Sequence, residues 1–351
     1  MATRPIPRRE ELFNRWKTFP LSRREAYQQL KDLEDVLKQG AENQSSRPRD
    51  LPDSETAASP PLFKRGYQTG AVIDLRSISK QEEVMFIGDL HASLSNLISI
   101  LSGSRAVERM GLGELAVVTL GDTSHNQRNL EMDTTISLNQ ALIDLKLLFP
   151  PSFYSLIGNH DYLWKTDPQI KYHPSGEGVP ISVLKWRHYL ELVARYGSKY
   201  ADEYEQLYTG RSALMAVGNG FAAMHAGPPT GDGLKEVRGT NAKETLENIS
   251  RFNVLDERNT PTRQITAGNY DYLGRGSPFF TDESVDGFLD AIGEPKGEVL
   301  LGHAHDSFRP AHWQPKNKKL HFLYSGPFAP GGCYALKNGG PFEFKSGRGV
   351  R

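Results

Sequence analysis

Val84-Met85-Phe86-Ile87-Gly88-Asp89-Leu90-His91 decides how the rest of this chain is read. An unbroken apolar run ends on a glycine, and an acid and a histidine follow. Such a run reads as a strand buried on both faces, and the glycine lets the backbone turn sharply beside a ligand. The same phrase returns further along. Residues 115–120 run into Gly121-Asp122, and 153–157 into Gly158-Asn159-His160-Asp161. Residues 221–224 run into His225-Ala226-Gly227, and 299–301 into Gly302-His303-Ala304-His305. One Gly-Asp or Gly-His pair carries little weight, since strand-end polar side chains often just cap the backbone. Five in succession, each after an apolar run, point to one site. Polar groups that follow buried strands gather along the carboxyl edge of a sheet, where open α/β proteins hold their ligands.

The residue types name the chemistry. Asp, Asn and His offer the mixed oxygen and imidazole donors suited to Mn, Fe or Zn, with Ni also admitted, and the lack of thiolates argues against a structural zinc site. Two such ions roughly 3.5–4 Å apart can clamp a phosphoryl group and activate a water near neutral pH. A bridging carboxylate is needed, and Asp122 is the natural one. His160, beside a ligand, is placed to protonate a leaving alcohol.

These five motifs resemble those of the calcineurin-like metallophosphoesterase superfamily, over about residues 82–345. The resemblance implies two divalent or trivalent transition-metal ions. Asp89, His91, Asp122 and His305 would hold one; Asp122, Asn159, His225 and His303 would hold the other. His160 matches the catalytic histidine, and Asp161 occupies the acidic position after it, grouped with the catalytic residues as a buttress for His160. Gly274-Arg275-Gly276-Ser277-Pro278-Phe279-Phe280, a helical 282–292 and Leu323-Tyr324-Ser325-Gly326-Pro327 are similar to the phosphoprotein phosphatase branch. There an arginine at the place of Arg275 grips phosphate oxygens, a task suited to a guanidinium fork.

The departures fall on the substrate side. That branch carries an Asp that orients the catalytic histidine and an Arg that binds phosphate, where this chain has His125 and Asn126. His125 and the nearby Arg128 are therefore candidate substrate contacts, together with Asn159. His305 is a second histidine that the branch usually lacks, and Phe328-Ala329-Pro330-Gly331-Gly332 has no tyrosine where one normally overlies the metals. The expected activity is hydrolysis of phosphomonoesters by direct attack of metal-activated water, with phosphoprotein among the substrates. The alternative is a phosphodiesterase or a nucleotide pyrophosphohydrolase of dinucleoside polyphosphate type. A non-catalytic binding or scaffold protein is a minor third reading. The expected partner is a phosphorylated protein, nucleotide or small molecule.

Composition excludes other classes. The 351 residues carry 42 basic and 42 acidic side chains, so no global field recruits nucleic acid or anionic membrane. No apolar run approaches the length of a membrane span. No secretory signal follows Met1-Ala2-Thr3-Arg4, and the single Cys333 fits a reducing, cytoplasmic setting.

Residues 9–16 and 22–38 read as polar helices, the second with Ala26, Leu30, Leu33 and Leu37 on one face. They pack on the catalytic domain or on a partner. Residues 39–61, rich in Ser, Pro and charge, read as a flexible linker. The expected division is therefore a helical extension with its linker over 1–61 and a catalytic domain over 62–351. Helical spacing marks 94–107, 133–149 and 183–208. Gly218-Asn219-Gly220 and Asn338-Gly339-Gly340 each sit between apolar runs as hairpin turns. Late antiparallel pairing beside alternating strands and helices gives an α/β class: a four-layer αββα sandwich of two mixed sheets with helices outside. The 161–182 loop, with Tyr162, Trp164 and Lys165, reads as part of the substrate mouth. His173, His188, His312 and His321 match no motif and read as surface or packing residues.

Overall fold

Two helices open the chain, α1 (Arg9–Trp16) and α2 (Arg23–Ser45). Then come β1 (Gln68–Thr69), β2 (Val72–Asp74), β3 (Glu83–Ile87), α3 (Leu94–Gly103), α4 (Ala106–Gly111), β4 (Leu115–Thr119), α5 (Thr135–Leu148) and β5 (Phe153–Ser155). α6 (Ile181–Tyr196) and α7 (Ser198–Tyr204) precede a hairpin of β6 (Met215–Gly218) and β7 (Phe221–Met224). β8 (Asn253–Val254), β9 (Phe279–Phe280), α8 (Asp282–Ala291), β10 (Glu298–Leu301), β11 (His312–Trp313), β12 (Leu320–Leu323), β13 (Cys333–Lys337) and β14 (Glu343–Ser346) complete it. This computed structural model describes residues 7–45, 68–69, 72–76, 83–126, 133–168, 181–209, 212–228, 253–254, 279–280, 282–303, 311–314 and 318–347.

One sheet runs β1-β2-β6-β7-β10-β12-β11 and the other β14-β13-β3-β4-β5, while β8 and β9 pair apart. Both sheets are mixed. β3, β4 and β5 are parallel, as are β7, β10 and β12, whereas the β6–β7 and β13–β14 hairpins are antiparallel. The apolar runs divide by the period of two. Val84 and Phe86 of β3, with Ala116 and Val118 of β4, meet Ala216, Phe221, Ala223 and Leu300 from the other sheet. Met85, Ile87, Leu115 and Val117 face α1, α3, α4 and α5 instead. On the far side Ala222, Met224, Val299 and Leu301 pack under Val285, Phe288 and Leu289 of α8. Helices, sheet, sheet and helix make the four layers, and every central strand is covered twice.

Several elements differ from their sequence-based bounds. The helix expected over 94–107 is broken at Arg105, whose left-handed φ of 55° starts α4 on a new axis. The 183–208 helix likewise breaks at Gly197, φ 95°, between α6 and α7. α2 continues to Ser45, seven residues into the segment read as linker; Ala41, Glu42 and Gln44 favour a helix and offset Gly40.

The N-terminal helices pack on this body. Leu12, Phe13 and Trp16 join the cluster under the five-stranded sheet. Ala26, Leu30 and Leu33 join Ile136, Ile143, Leu192, Tyr196 and Tyr200 on the outer side of α5. With apolar partners on both sides, α5 is buried nearly all round, as an unsided apolar helix must be. Among the described residues no helix is long and apolar enough to cross a membrane.

Candidate metal centre

Four of the five motifs deliver described ligands from the carboxyl ends of β3, β4, β7 and β10, and the fifth follows β5. The turns that aim them need unusual backbone. His91, Asp122, His125 and His303 have positive φ values of 41°, 45°, 66° and 56°, and they are four of the six such non-glycine residues described. Left-handed backbone at a branched or bulky residue costs of order 1 kcal/mol or more and persists where neighbours impose it. Glycine is obligatory where two of these turns touch. A Cβ on Gly121, φ 95°, would strike the backbone of Gly158, and one on Gly158 would strike Asp122. The second and third motifs are therefore packed backbone to backbone.

Asp161 locks that contact. Its Oδ1 accepts from Thr123 N–H at 2.8 Å, Thr123 Oγ1 at 2.9 Å and Ser124 N–H at 3.2 Å, and its Oδ2 accepts from Gly158 N–H at 2.8 Å. Asn139 of α5 backs the same turn, accepting from Thr123 Oγ1 at 2.9 Å and donating to Ser124 Oγ at 3.2 Å and Tyr204 Oη at 2.7 Å.

Asp122 lies at the middle of the site. Two groups of side chains each bring ligand atoms within 4.8 Å of one another: His91, Asp122 and His160, and Asp122, His225 and His303. The first two histidines of these groups are held alike. His225 Nδ1 lies 3.1 Å from the Leu120 carbonyl, and His91 Nδ1 lies 3.4 Å from the Ser124 carbonyl. Each therefore turns its Nε2 inward. His225 Nε2 is 3.5 Å, and His91 Nε2 3.9 Å, from Asp122 Oδ2; His160 Nε2 is 3.8 Å from the same oxygen. Asn159 Oδ1 and His303 Nδ1 also approach His225 Nε2, at 2.9 and 3.2 Å. Asp89 is fully buried beside this second group, Oδ1 3.5 Å from His225 Nδ1 and Oδ2 accepting from His303 N–H at 2.7 Å.

The electrostatics suit cations. Burial raises the Asp122 carboxyl to about 6, helped by Asp89 and Asp161 and opposed by His225 and His91. Burial would depress His225, but Asp122 and Asp89 outweigh it and lift the imidazolium to about 9. Both His225 nitrogens face oxygens, Nδ1 those of Leu120 and Asp89 and Nε2 those of Asn159 and Asp122. A metal at Nε2 would take the place of a proton there, since metal-ligating imidazole nitrogens bind deprotonated. Carbonyl-fixed Nδ1 atoms with Nε2 atoms converging on a carboxylate are the arrangement metal-binding histidines need. The residues present fit a pair of metals sharing Asp122.

Residues 83–320 match the calcineurin-like phosphoesterase family. The chain belongs to that family. A solved structure similar to it is a protein serine/threonine phosphatase from Saccharomyces cerevisiae with similarity to human phosphatase PP5. The two share 14% identity over 95% of this chain and 92% of that one, with a TM-score of 0.55, which establishes a shared fold. No curated protein matches the chain.

For this calcineurin-like phosphoesterase, Asp89, His91, Asp122, Asn159, His160, Asp161, His225 and His303 all come to one place. His125 is adjacent, its ring centroid 5.7 Å from that of His160. Arg128, Arg275 and His305 lie outside the described residues, as do residues 169–180 of the 161–182 loop, whose last two residues open α6. Two neighbours were not among the site residues expected from the sequence: Tyr324, quoted only within Leu323–Pro327, and His188, read as a surface or packing residue. Tyr324 brings its ring to 6.1 Å from that of His91 and stacks on the half-exposed Phe328 at 5.9 Å. An aromatic wall thus stands beside the centre although Phe328–Gly332 holds no tyrosine. Asn96 of α3 pins that wall, donating to the carbonyls of Ser325 and Gly326 at 2.8 and 2.7 Å. The second is His188 of α6, whose ring lies 5.5 Å from that of His125. Its lone place on an amphipathic helix gave no motif to find it by.

Proposed function

We propose that the chain is a dinuclear-metal phosphatase that hydrolyses phosphomonoesters, phosphoprotein among them. The supporting observation is that two groups of histidines, all buried except the partly buried His303, share one carboxylate, Asp122. In this reading Asp89, His91, Asp122 and His305 hold one ion, and Asp122, Asn159, His225 and His303 the other. Mn or Fe suits these donors best, with Zn and Ni also compatible. When bound, such a pair supplies Lewis acidity to the phosphoryl oxygens and a water acidic enough to act as nucleophile near neutral pH. The chain's own residues do the rest. Arg275 grips the phosphate, with Asn159, His125 and Arg128 lining the substrate side. His160 gives its ring proton to the leaving oxygen as the P–O bond breaks. Asp161 holds the turn from which His160 projects. The lone Cys333 suits a cytoplasmic setting.

Turnover of a phosphopeptide, p-nitrophenyl phosphate, bis-p-nitrophenyl phosphate and a dinucleoside tetraphosphate, each with Mn, Fe, Zn and Ni, tests this. Monoesters are expected to be cleaved fastest; cleavage confined to the diester or the anhydride overturns the reading in favour of a diesterase or pyrophosphohydrolase. His160→Ala is expected to keep its metals yet lose about 100-fold or more on substrates with poor leaving groups.

A further inference from the structure

His125 and His188 come from separate elements, the turn after β4 and helix α6, yet their rings meet edge to face. The centroids are 5.5 Å apart and the planes cross at 81°. The His125 ring also stands 5.7 Å from that of His160, the planes crossing at 52°. Both side chains are buried, 2% and 4% exposed. Among the described residues none of their four ring nitrogens has a hydrogen-bond partner. A neutral imidazole carries one N–H and one lone pair, and burying either unpaired forfeits more than an ordinary hydrogen bond returns. Phe or Leu would fill the same space without that loss, so packing alone does not account for two histidines side by side.

The spacing shows what they can reach. In the neighbouring pair His225 and His303, centroids 4.9 Å apart place Nε2 3.2 Å from Nδ1. The rings of His160, His125 and His188 are spaced less than about 1 Å wider, a gap that a ring rotation or one bridging water closes.

We propose that His125 and His188 are positioning residues for His160, three imidazoles in a column that fixes the orientation and tautomer of the proton-donating ring. This rests on the reading of His160 as the acid in phosphoester hydrolysis. The column has a direction, because a neutral imidazole accepts at one nitrogen only while donating from the other, so fixing one ring fixes the next. Neutrality is imposed on both rings behind His160. Burial pushes His188 down to about 3, and burial, then His188 and the buried Lys185, hold His125 well below the usual range. Beyond His188 the Tyr204 ring, 5.9 Å away and held through its hydroxyl by Asn139, closes the end of the column.

The test is His188→Phe, which keeps volume and removes the nitrogens, with His188→Gln, which keeps a donor and an acceptor. Zinc-loaded proteins are compared on p-nitrophenyl phosphate and on phenyl phosphate, whose leaving group needs the proton. Nitrogen-15 spectra of the imidazoles report the His160 tautomer. Expected for His188→Phe are unchanged metal content, p-nitrophenyl phosphate turnover within about threefold, and a loss of about tenfold or more on phenyl phosphate. The His160 signals are expected to shift toward a mixture of tautomers, and His188→Gln to stay near wild type in both readouts. Equal losses on the two substrates, unmoved His160 signals, or a Gln variant as impaired as Phe overturns the proposal. Should His188→Phe fold poorly, the Gln variant and the spectra decide. A wild-type protein that cleaves neither ester refutes the functional reading, and the spectra alone then judge the column.

Discussion

Asp161→Ala separates scaffold from chemistry at this site. The carboxylate accepts four hydrogen bonds, three of them from the backbone N–H groups of Thr123, Ser124 and Gly158. Thr123 and Ser124 are at most 1% exposed, so the deletion strands donors that solvent does not reach. At about 1–3 kcal/mol for each buried donor left without an acceptor, the total is about 3–9 kcal/mol, and water entering the vacated volume favours the lower part, about 4. Thr123 Oγ1 adds nothing to this sum because it keeps Asn139 as an acceptor. Asp161→Asn retains one carbonyl oxygen and strands one N–H, so about 2 kcal/mol is expected. Urea unfolding in EDTA, followed by tryptophan fluorescence, gives both values free of metal linkage. The expected order is wild type, then Asn, then Ala, with metal affinity falling in step because the turn presenting Asp122 loosens. An alanine variant within about 1 kcal/mol of wild type refutes the reasoning, given the size of the lost interactions. A stable, metal-replete Asp161→Asn protein with no turnover would instead place Asp161 among the groups that act on substrate.

Other residues give sharper single outcomes. Asp122→Asn is expected to bring bound metal well below one ion per chain, since both groups lose their shared ligand; metal analysis showing two ions removes the bridging assignment. Trp16→Ala is expected to cost about 3–5 kcal/mol, because the fully buried ring also donates to Asp144 Oδ2 at 3.1 Å; a small shift in the unfolding midpoint counts against docking of α1. Glu298 accepts from His321 and Lys337, which outweigh the effect of burial and hold its carboxyl down at about 2. Its stabilising contribution is therefore complete above the unfolded pKa of about 4.3 and is lost as pH falls through about 2. Glu298→Gln is expected to cost about 2 kcal/mol at pH 7, and a gap from wild type that fails to narrow by pH 3 refutes this.

The legible part of this molecule was local. Each motif could be read because its polar residues directly follow an apolar run, so strand and ligand lie within eight residues. The five strands, the β6–β7 and β13–β14 hairpins and the grouping of Asp122 with His225 and His303 all follow from such runs. What was not legible depends on packing between distant segments. Arg105 carries no turn signature, yet its left-handed φ splits one expected helix into α3 and α4. The inward aim of His225 and His91 depends on the carbonyls of Leu120 and Ser124, and any side chain could occupy those two positions. His188 gains its significance only when α6 is laid against the turn after β4. Asp161 looked like a neighbour of the catalytic histidine in sequence, and the fold turns its carboxylate onto three backbone donors of another motif and its own.

α5 shows why the first helices and the metal turn have to be considered together. Gln140 accepts from Leu21 N–H at 2.9 Å and donates to Tyr196 Oη at 3.1 Å, while Gln29 donates to its carbonyl at 2.9 Å. The residue before it, Asn139, holds Thr123 and Ser124 directly behind Asp122. Successive side chains on a helix point about 100° apart, so one turn of α5 touches the N-terminal segment with one residue and the ligand turn with the next. One turn further on, Asp144 collects Arg15 at 3.1 Å, Trp16 at 3.1 Å and Gln29 at 2.8 Å, all from α1 and α2. A buried helix with this many engaged polar groups has little freedom to rotate or slide, because any shift strands several at once. The rigidity that α1 and α2 confer on α5 is therefore passed to the turn carrying Asp122 through the adjacent amides Gln140 and Asn139, and through Thr135 of α5, whose Oγ1 accepts from His125 N–H at 2.8 Å.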